Sequence, residues 1–146
     1  MEEKEEQNIR AKLGYIQTNL KAPKGQLNKF GNYRYRSAED ILESAKPLLE
    51  LMKCSLVISD TIQGIGDRHY VMATATLMDH NKDTVTVTAY AREAADKKGM
   101  DAAQITGSAS SYARKYALNG LFAIDDTKDP DATNTHGKEK SKQDLL

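Results

Sequence analysis

A single cysteine, Cys54, stands in a chain of 146 residues, so no disulfide can close within it. A lone thiol fits a reducing compartment. Long apolar runs are missing as well: none approaches the ~20 residues that a membrane-spanning helix needs. The N-terminal segment is charged and has no apolar centre, so it does not read as a secretory signal. These absences predict a soluble, cytoplasmic protein with no membrane partner.

Motifs for covalent chemistry are also lacking. Gly64-Ile65-Gly66 has neither a third glycine nor a following helix, so it is no dinucleotide fingerprint. No phosphate-binding loop supports ATP-driven work. Ser108, Ser110 and Ser111 sit in no nucleophile elbow. His69, His80 and His136 lack the spacing of metal ligands. No cofactor is expected. Asp125-Asp126, with Glu93 or Asp79, is the one arrangement that could hold magnesium for a nuclease, but adjacent acids behind a helix are usually solvated.

Net charge is absent too, with 21 basic and 21 acidic side chains. That balance would exclude a polyanion partner if the charge were spread evenly, and it is not. Residues 1–12 carry 3 basic and 4 acidic side chains, and residues 125–146 carry 4 and 6. The stretch 13–124 keeps 14 basic against 11 acidic, and five basic residues with no acid lie between Lys21 and Arg36. Neutrality here averages a basic platform with acidic ends.

The length fits one domain with tails. Residues 1–12 read as a polar N-terminal helix extension, 13–126 as the folded domain, and 127–146 as a polar, disordered tail. Ile9, Leu13, Ile16 and Leu20 follow a helical period that Pro23 and Gly25 end. An extended piece is predicted from about Phe30 to Arg36. Ser37 then looks like an N-cap, with Glu39 and Asp40 in the first turn of a helix that Pro47 should kink or restart. That helix should bury Ile41, Leu42, Ala45, Leu48, Leu49 and Met52. From Ser55 the period becomes two. Strands are predicted over 55–63, 68–79 and 84–92, joined by Gly64-Ile65-Gly66-Asp67 and His80-Asn81-Lys82-Asp83. Asp101 with Gln104 opens a last helix, and Asn119-Gly120 should stop it. The fold class is therefore α+β: a three-stranded antiparallel meander with flanking helices, and a polar C-terminal tail.

Two segments could meet single-stranded nucleic acid. In Lys24–Arg36, KGQLNKFGNYRYR, cations (Lys24, Lys29, Arg34, Arg36) interleave with Phe30, Tyr33 and Tyr35. Cations neutralise phosphates, while rings stack on bases at roughly 1–3 kcal/mol per base. Along an extended stretch both tyrosines fall on one face and both arginines on the other. Either the arginines meet phosphate and the rings pack inward, which suits half-buried tyrosine, or the rings face the strand. In the last helix, Ile105, Ala109, Tyr112, Ala113 and Tyr116 should pack on the sheet. Ala103, Gly107, Ser111 and Arg114 form a small-residue face. It suits close approach of a DNA backbone, ending at Arg114 and Lys115, and equally well close packing against another helix. Lys97 and Lys98 precede that helix and read as electrostatic guides.

Lys29–Ile41 (KFGNYRYRSAEDI), Thr86–Glu93 (TVTAYARE) and Lys98–Asp126 (KGMDAAQITGSASSYARKYALNGLFAIDD) together resemble the ERF, or essential recombination function, family of phage single-strand annealing proteins. The resemblance covers about Leu13 to Asp126. It implies binding of single-stranded DNA, ATP-independent pairing of complementary strands through an annealed duplex intermediate, and assembly into rings or filaments. It also implies a β-β-β-α core similar to that of eukaryotic annealing mediators. Further expected partners are a host single-strand-binding protein or a phage exonuclease. The family's basic and aromatic positions map onto Lys29, Tyr33, Arg34, Tyr35, Arg36, Arg92, Arg114 and Lys115. The tail after Asp126 is short for such proteins, so a further C-terminal portion is expected. A passive single-strand-protecting protein, a metal-dependent nuclease and an assembly protein without a nucleic-acid role are the competing readings.

Overall fold

A computed structural model describes residues 7–95 and 99–125. The expected polar tail over 127–146, Lys97, Lys98, Asp126 and His136 lie outside the described residues. The elements run α1 (Ile9–Asn19), β1 (Gln26–Asn28), β2 (Tyr33–Tyr35), α2 (Ala38–Met52), β3 (Cys54–Ile65), β4 (Arg68–Asp79), β5 (Thr84–Arg92) and α3 (Ala102–Phe122). The last five form an α+β unit around an antiparallel sheet in the order β3-β4-β5.

Alternation decides the sheet's two faces. Val71, Ala73, Ala75 and Leu77 of β4 are fully buried, and Leu56, Ile58, Val85, Val87 and Ala89 pack beside them. On the other face threonines pair across strands, Thr74 with Thr88 and Thr76 with Thr86, through hydroxyl contacts of 3.4 and 3.3 Å. The β3–β4 connection is tighter than the sequence predicts. Gly64 and Ile65 still pair, with His69 and Arg68, so the turn is only Gly66-Asp67, with Gly66 at φ 64°.

Two helices carry the capping boxes that their sequences require. The Ser37 hydroxyl accepts from the Asp40 amide, and the Asp40 carboxylate accepts from the Ser37 amide. Asp101 and Gln104 do the same for α3. Pro47 does not restart α2, which runs on to Met52 and ends at Lys53 in the left-handed region. Ile41 and Ala45 of α2 are fully buried, with Leu42, Leu48, Leu49 and Met52 partly so. In α1, Ile9, Lys12 and Ile16 are buried, so the packed unit takes in side chains ahead of residue 13.

α3 lies across β4 and β5 on a stripe of alanines, and two expectations about it fail. Ala109, Ala113 and Ala117 face the core, while Tyr112 and Tyr116 remain 43% and 39% exposed. Small side chains let the helix axis sit close to the sheet, which leaves no room beneath it for tyrosine. Nor does Asn119-Gly120 stop the helix. It continues to Phe122 and ends at Ala123, φ 56°. Gly120 serves packing instead: a Cβ there would lie 3.1 Å from Val87 Cγ1. Leu118, Leu121 and Phe122 then close the core with Ile16 and Ile41.

Candidate nucleic-acid interface

The basic segment is not a single extended piece. It folds back as a hairpin, with Gln26 opposite Tyr35 and Asn28 opposite Tyr33. Asn28 builds the turn: its side-chain oxygen accepts from the Phe30 and Gly31 amides at 2.9 and 3.0 Å, and its amide donates to the Tyr33 hydroxyl at 2.9 Å. Gly31 makes room for the Tyr33 ring, which would have to shift to admit a Cβ at that position. Asn32, at φ 55°, completes the reversal. Phe30 at the tip is completely exposed beside Lys29. Sequence reasoning missed β1, although Asn28 and Gly31-Asn32 are turn signals between two short polar strands.

The alternation of rings and cations holds in β2. Tyr33 and Tyr35 share a face, edge to face with centroids 6.2 Å apart, and both are half-buried. Arg34 points the other way into solvent. Arg36 departs from that pattern: it is half-buried and its Nε donates to the Ala22 carbonyl at 2.7 Å, which ties the hairpin to the end of α1.

The α3 cations are also committed. Lys115 is 3% exposed and its Nζ stands 5.8 Å from the centroid of the Tyr35 ring. That cation–π contact joins the two sequence segments physically. Arg114 Nε lies 3.2 Å from Asp60 Oδ1 of β3, and Ser110 donates to the same carboxylate. Ala103, Gly107 and Ser111 are exposed, and a Cβ on Gly107 would meet nothing within 4 Å. Among the described residues, then, no helix of this chain packs on that face. Lys24 lies half-buried between α1 and the hairpin, and Arg92 is exposed opposite Tyr70 at the end of β5.

These elements bound two adjoining grooves. One, about 440 Å³, lies between hairpin and helix and gathers Gln26, Tyr35, Arg36, Ser108, Ser111 and Lys115, with Glu39 of α2 at its edge. The other, about 510 Å³, runs along the β5 edge under Tyr90, Arg92, Tyr112 and Tyr116. Ser108 and Tyr112 line both, so the two adjoin along α3. Sequence reasoning placed Tyr112 and Tyr116 in the core. The Ala109-Ala113-Ala117 stripe was the signal that could have turned them outward.

Of the acids weighed for magnesium, Asp126 lies outside the described residues, and Asp79 and Glu93 are held at different ends of β5. Asp79 caps the β4–β5 turn, accepting from the Asn81 and Asp83 amides, while Glu93 accepts from Thr106 at the far end of β5. Among the described residues no group of three or more His, Cys, Asp or Glu side chains could hold a metal ion. Lys12 Nζ approaches His80 Nδ1 at 3.3 Å. Nearby, burial pushes the Cys54 thiol above its ordinary range, with Asp79 adding to the rise and Lys12 opposing it. No described helix is long and apolar enough to cross a membrane.

Residues 9–145 match the ERF superfamily. The match takes in nearly the whole sequence, meander and last helix included, and the chain belongs to that superfamily. It is 57% identical over 131 residues to the essential recombination function protein of Salmonella phage P22. The alignment covers 90% of this chain and 62% of that relative, so the chain spans less than two thirds of its length. No solved structure gives a significant match.

Proposed function

We propose that this chain binds single-stranded DNA and anneals complementary strands in phage homologous recombination, without ATP and without breaking covalent bonds. The observation that carries the reading is the groove between hairpin and α3, where Tyr35, Arg36, Ser111 and Lys115 converge from two separate segments. Exposed Arg34 and Lys29 extend the positive surface outward from it. The relative's name, essential recombination function protein, supports the recombination role.

Annealing needs a strand held chiefly through its backbone, leaving base edges open to the complement. Arg34 and Lys29 suit that task because they reach solvent. Lys115 and Arg36, already bonded within the protein, hold the hairpin at the right height and lend charge to the groove. Such binding is independent of sequence and weakens steeply with salt. A homo-oligomer, ring or filament, would carry the strand from one copy to the next in the cytoplasm of the bacterial host.

The test is a strand-pairing assay with fluorescently labelled complementary oligonucleotides and no ATP. The reading expects pairing well above the rate for naked DNA. Tight binding with no acceleration would leave a passive strand-protecting protein, and magnesium-dependent loss of labelled strand would indicate a nuclease.

A further inference from the structure

The groove along the β5 edge differs in chemistry from the one beneath the hairpin. Two tyrosines of α3 open onto it, Tyr112 at 43% and Tyr116 at 39% exposure, and Tyr90, which leaves β5 on the threonine face, borders it from the edge of the strand. The Tyr112 and Tyr116 rings are 6.2 Å apart and tilted by only 30°, nearer to parallel than to edge-on. Arg92 supplies a cation and Ser108 a hydroxyl, and among the described residues the lining contains no aspartate or glutamate.

We propose that this groove seats nucleobases of the bound strand, which stack on Tyr112 and Tyr116 while Arg92 at the edge of β5 meets an adjoining phosphate. The proposal rests on the single-strand-binding reading above and adds to it where the bases go. Three arguments carry it. A ligand that rewards exposed phenol rings and a cation, and would be repelled by acids, is planar, aromatic and anionic, which describes a nucleotide. The volume, about 510 Å³, falls in the ~300–1,000 Å³ range of small-molecule sites, enough for a base or two but not a duplex. Because the two grooves adjoin at Ser108 and Tyr112, one strand can reach both, phosphates toward the hairpin and selected bases toward the tyrosines. Stacking engages ring faces and is tolerant of sequence, so it holds a strand in register without reading it.

The experiment compares two labelled oligonucleotides of equal length, oligothymidylate and a fully abasic strand, by fluorescence anisotropy against the full chain. The unaltered protein is expected to bind the intact strand about 5- to 150-fold more tightly, the equivalent of ~1–3 kcal/mol for a stacked base. Tyr112→Ala should collapse that ratio toward one, and Tyr112→Phe should keep it. Tyr116→Ala, at a second partly exposed position of the same face, provides the same readout if the Tyr112 variant fails to fold. Equal binding of both strands by the unaltered protein would overturn the proposal, as would a ratio that survives both alanine variants. In either case binding itself stands. Failure to bind either strand would instead remove the single-strand reading, and this proposal with it.

Discussion

Asp60 of β3 holds Arg114 of α3, with Oδ1 3.2 Å from the guanidinium Nε, and the same carboxylate accepts from Ser110 one turn earlier. The pair is partly exposed, and it ties helix to sheet at two points and gives a protein partner to a cation that the sequence suggests for DNA.

Breaking that tie separates structure from binding. Asp60→Ala should lower stability by roughly 1–3 kcal/mol, the range for hydrogen bonds to a charged group. It should also leave oligonucleotide affinity equal or slightly higher, because Arg114 is released. Thermal unfolding and anisotropy titration on the same preparation check both halves; a large loss of affinity in a folded variant would show that Asp60 positions the interface.

Arg34 and Arg36 should part company. Arg34→Ala removes an exposed cation, so binding should weaken about equally for all sequences and the slope of log affinity against log salt should fall by ~1. The melting temperature should not move. Arg36→Ala also loses its bond to the Ala22 carbonyl and should cost ~0.5–1.5 kcal/mol of stability.

Phe30 has no packing to lose. Phe30→Ala should leave stability within ~0.5 kcal/mol, as for a surface change. A fall in affinity would place the hairpin tip on the strand, and unchanged affinity would place it outside the footprint.

Tyr35→Ala should destabilise the domain, because it removes the ring facing Tyr33 and leaves the buried Lys115 ammonium without its aromatic partner. Tyr35→Phe should be close to neutral. Urea unfolding of the two variants distinguishes ring from hydroxyl.

Cys54 provides a pH test. Its thiol is raised by burial, so the neutral form is favoured in the folded chain. At pH 7 to 8 the native protein should react with a thiol alkylator more slowly than the urea-unfolded chain. By linkage, the stability tied to this group is intact below the unfolded thiol's pKa and declines as pH rises toward the folded one. Cys54→Ala should flatten that alkaline decline.

Much of the fold is legible in the sequence because local signals agree there. The strict alternation in Arg68–Asp79 and Thr84–Arg92 defines β4 and β5 to the residue, and Ser37 and Asp101 mark the two helix starts. The site is less legible. Arg114 and Lys115 look like solvent cations in a linear reading, but Asp60 lies 54 residues away in sequence and Tyr35 is in a different segment. Tyr112 and Tyr116 share a helical face with Ile105 and so read as core. Only the choice between two overlapping stripes, alanine or tyrosine, decides which one meets the sheet, and packing across elements makes that choice.

Gly120 touches none of these groups, yet its missing methyl acts as a gauge for the whole face. Val87 Cγ1 stands 3.1 Å from where a Cβ would be, so any other residue requires the valine methyl or the end of α3 to give by a few tenths of an ångström. Levered from that end, the helix would tip Tyr112 and Tyr116 relative to Tyr90 and alter the spacing of both grooves. The fit of α3 against β5 thus depends on a hydrogen atom one turn beyond Tyr116.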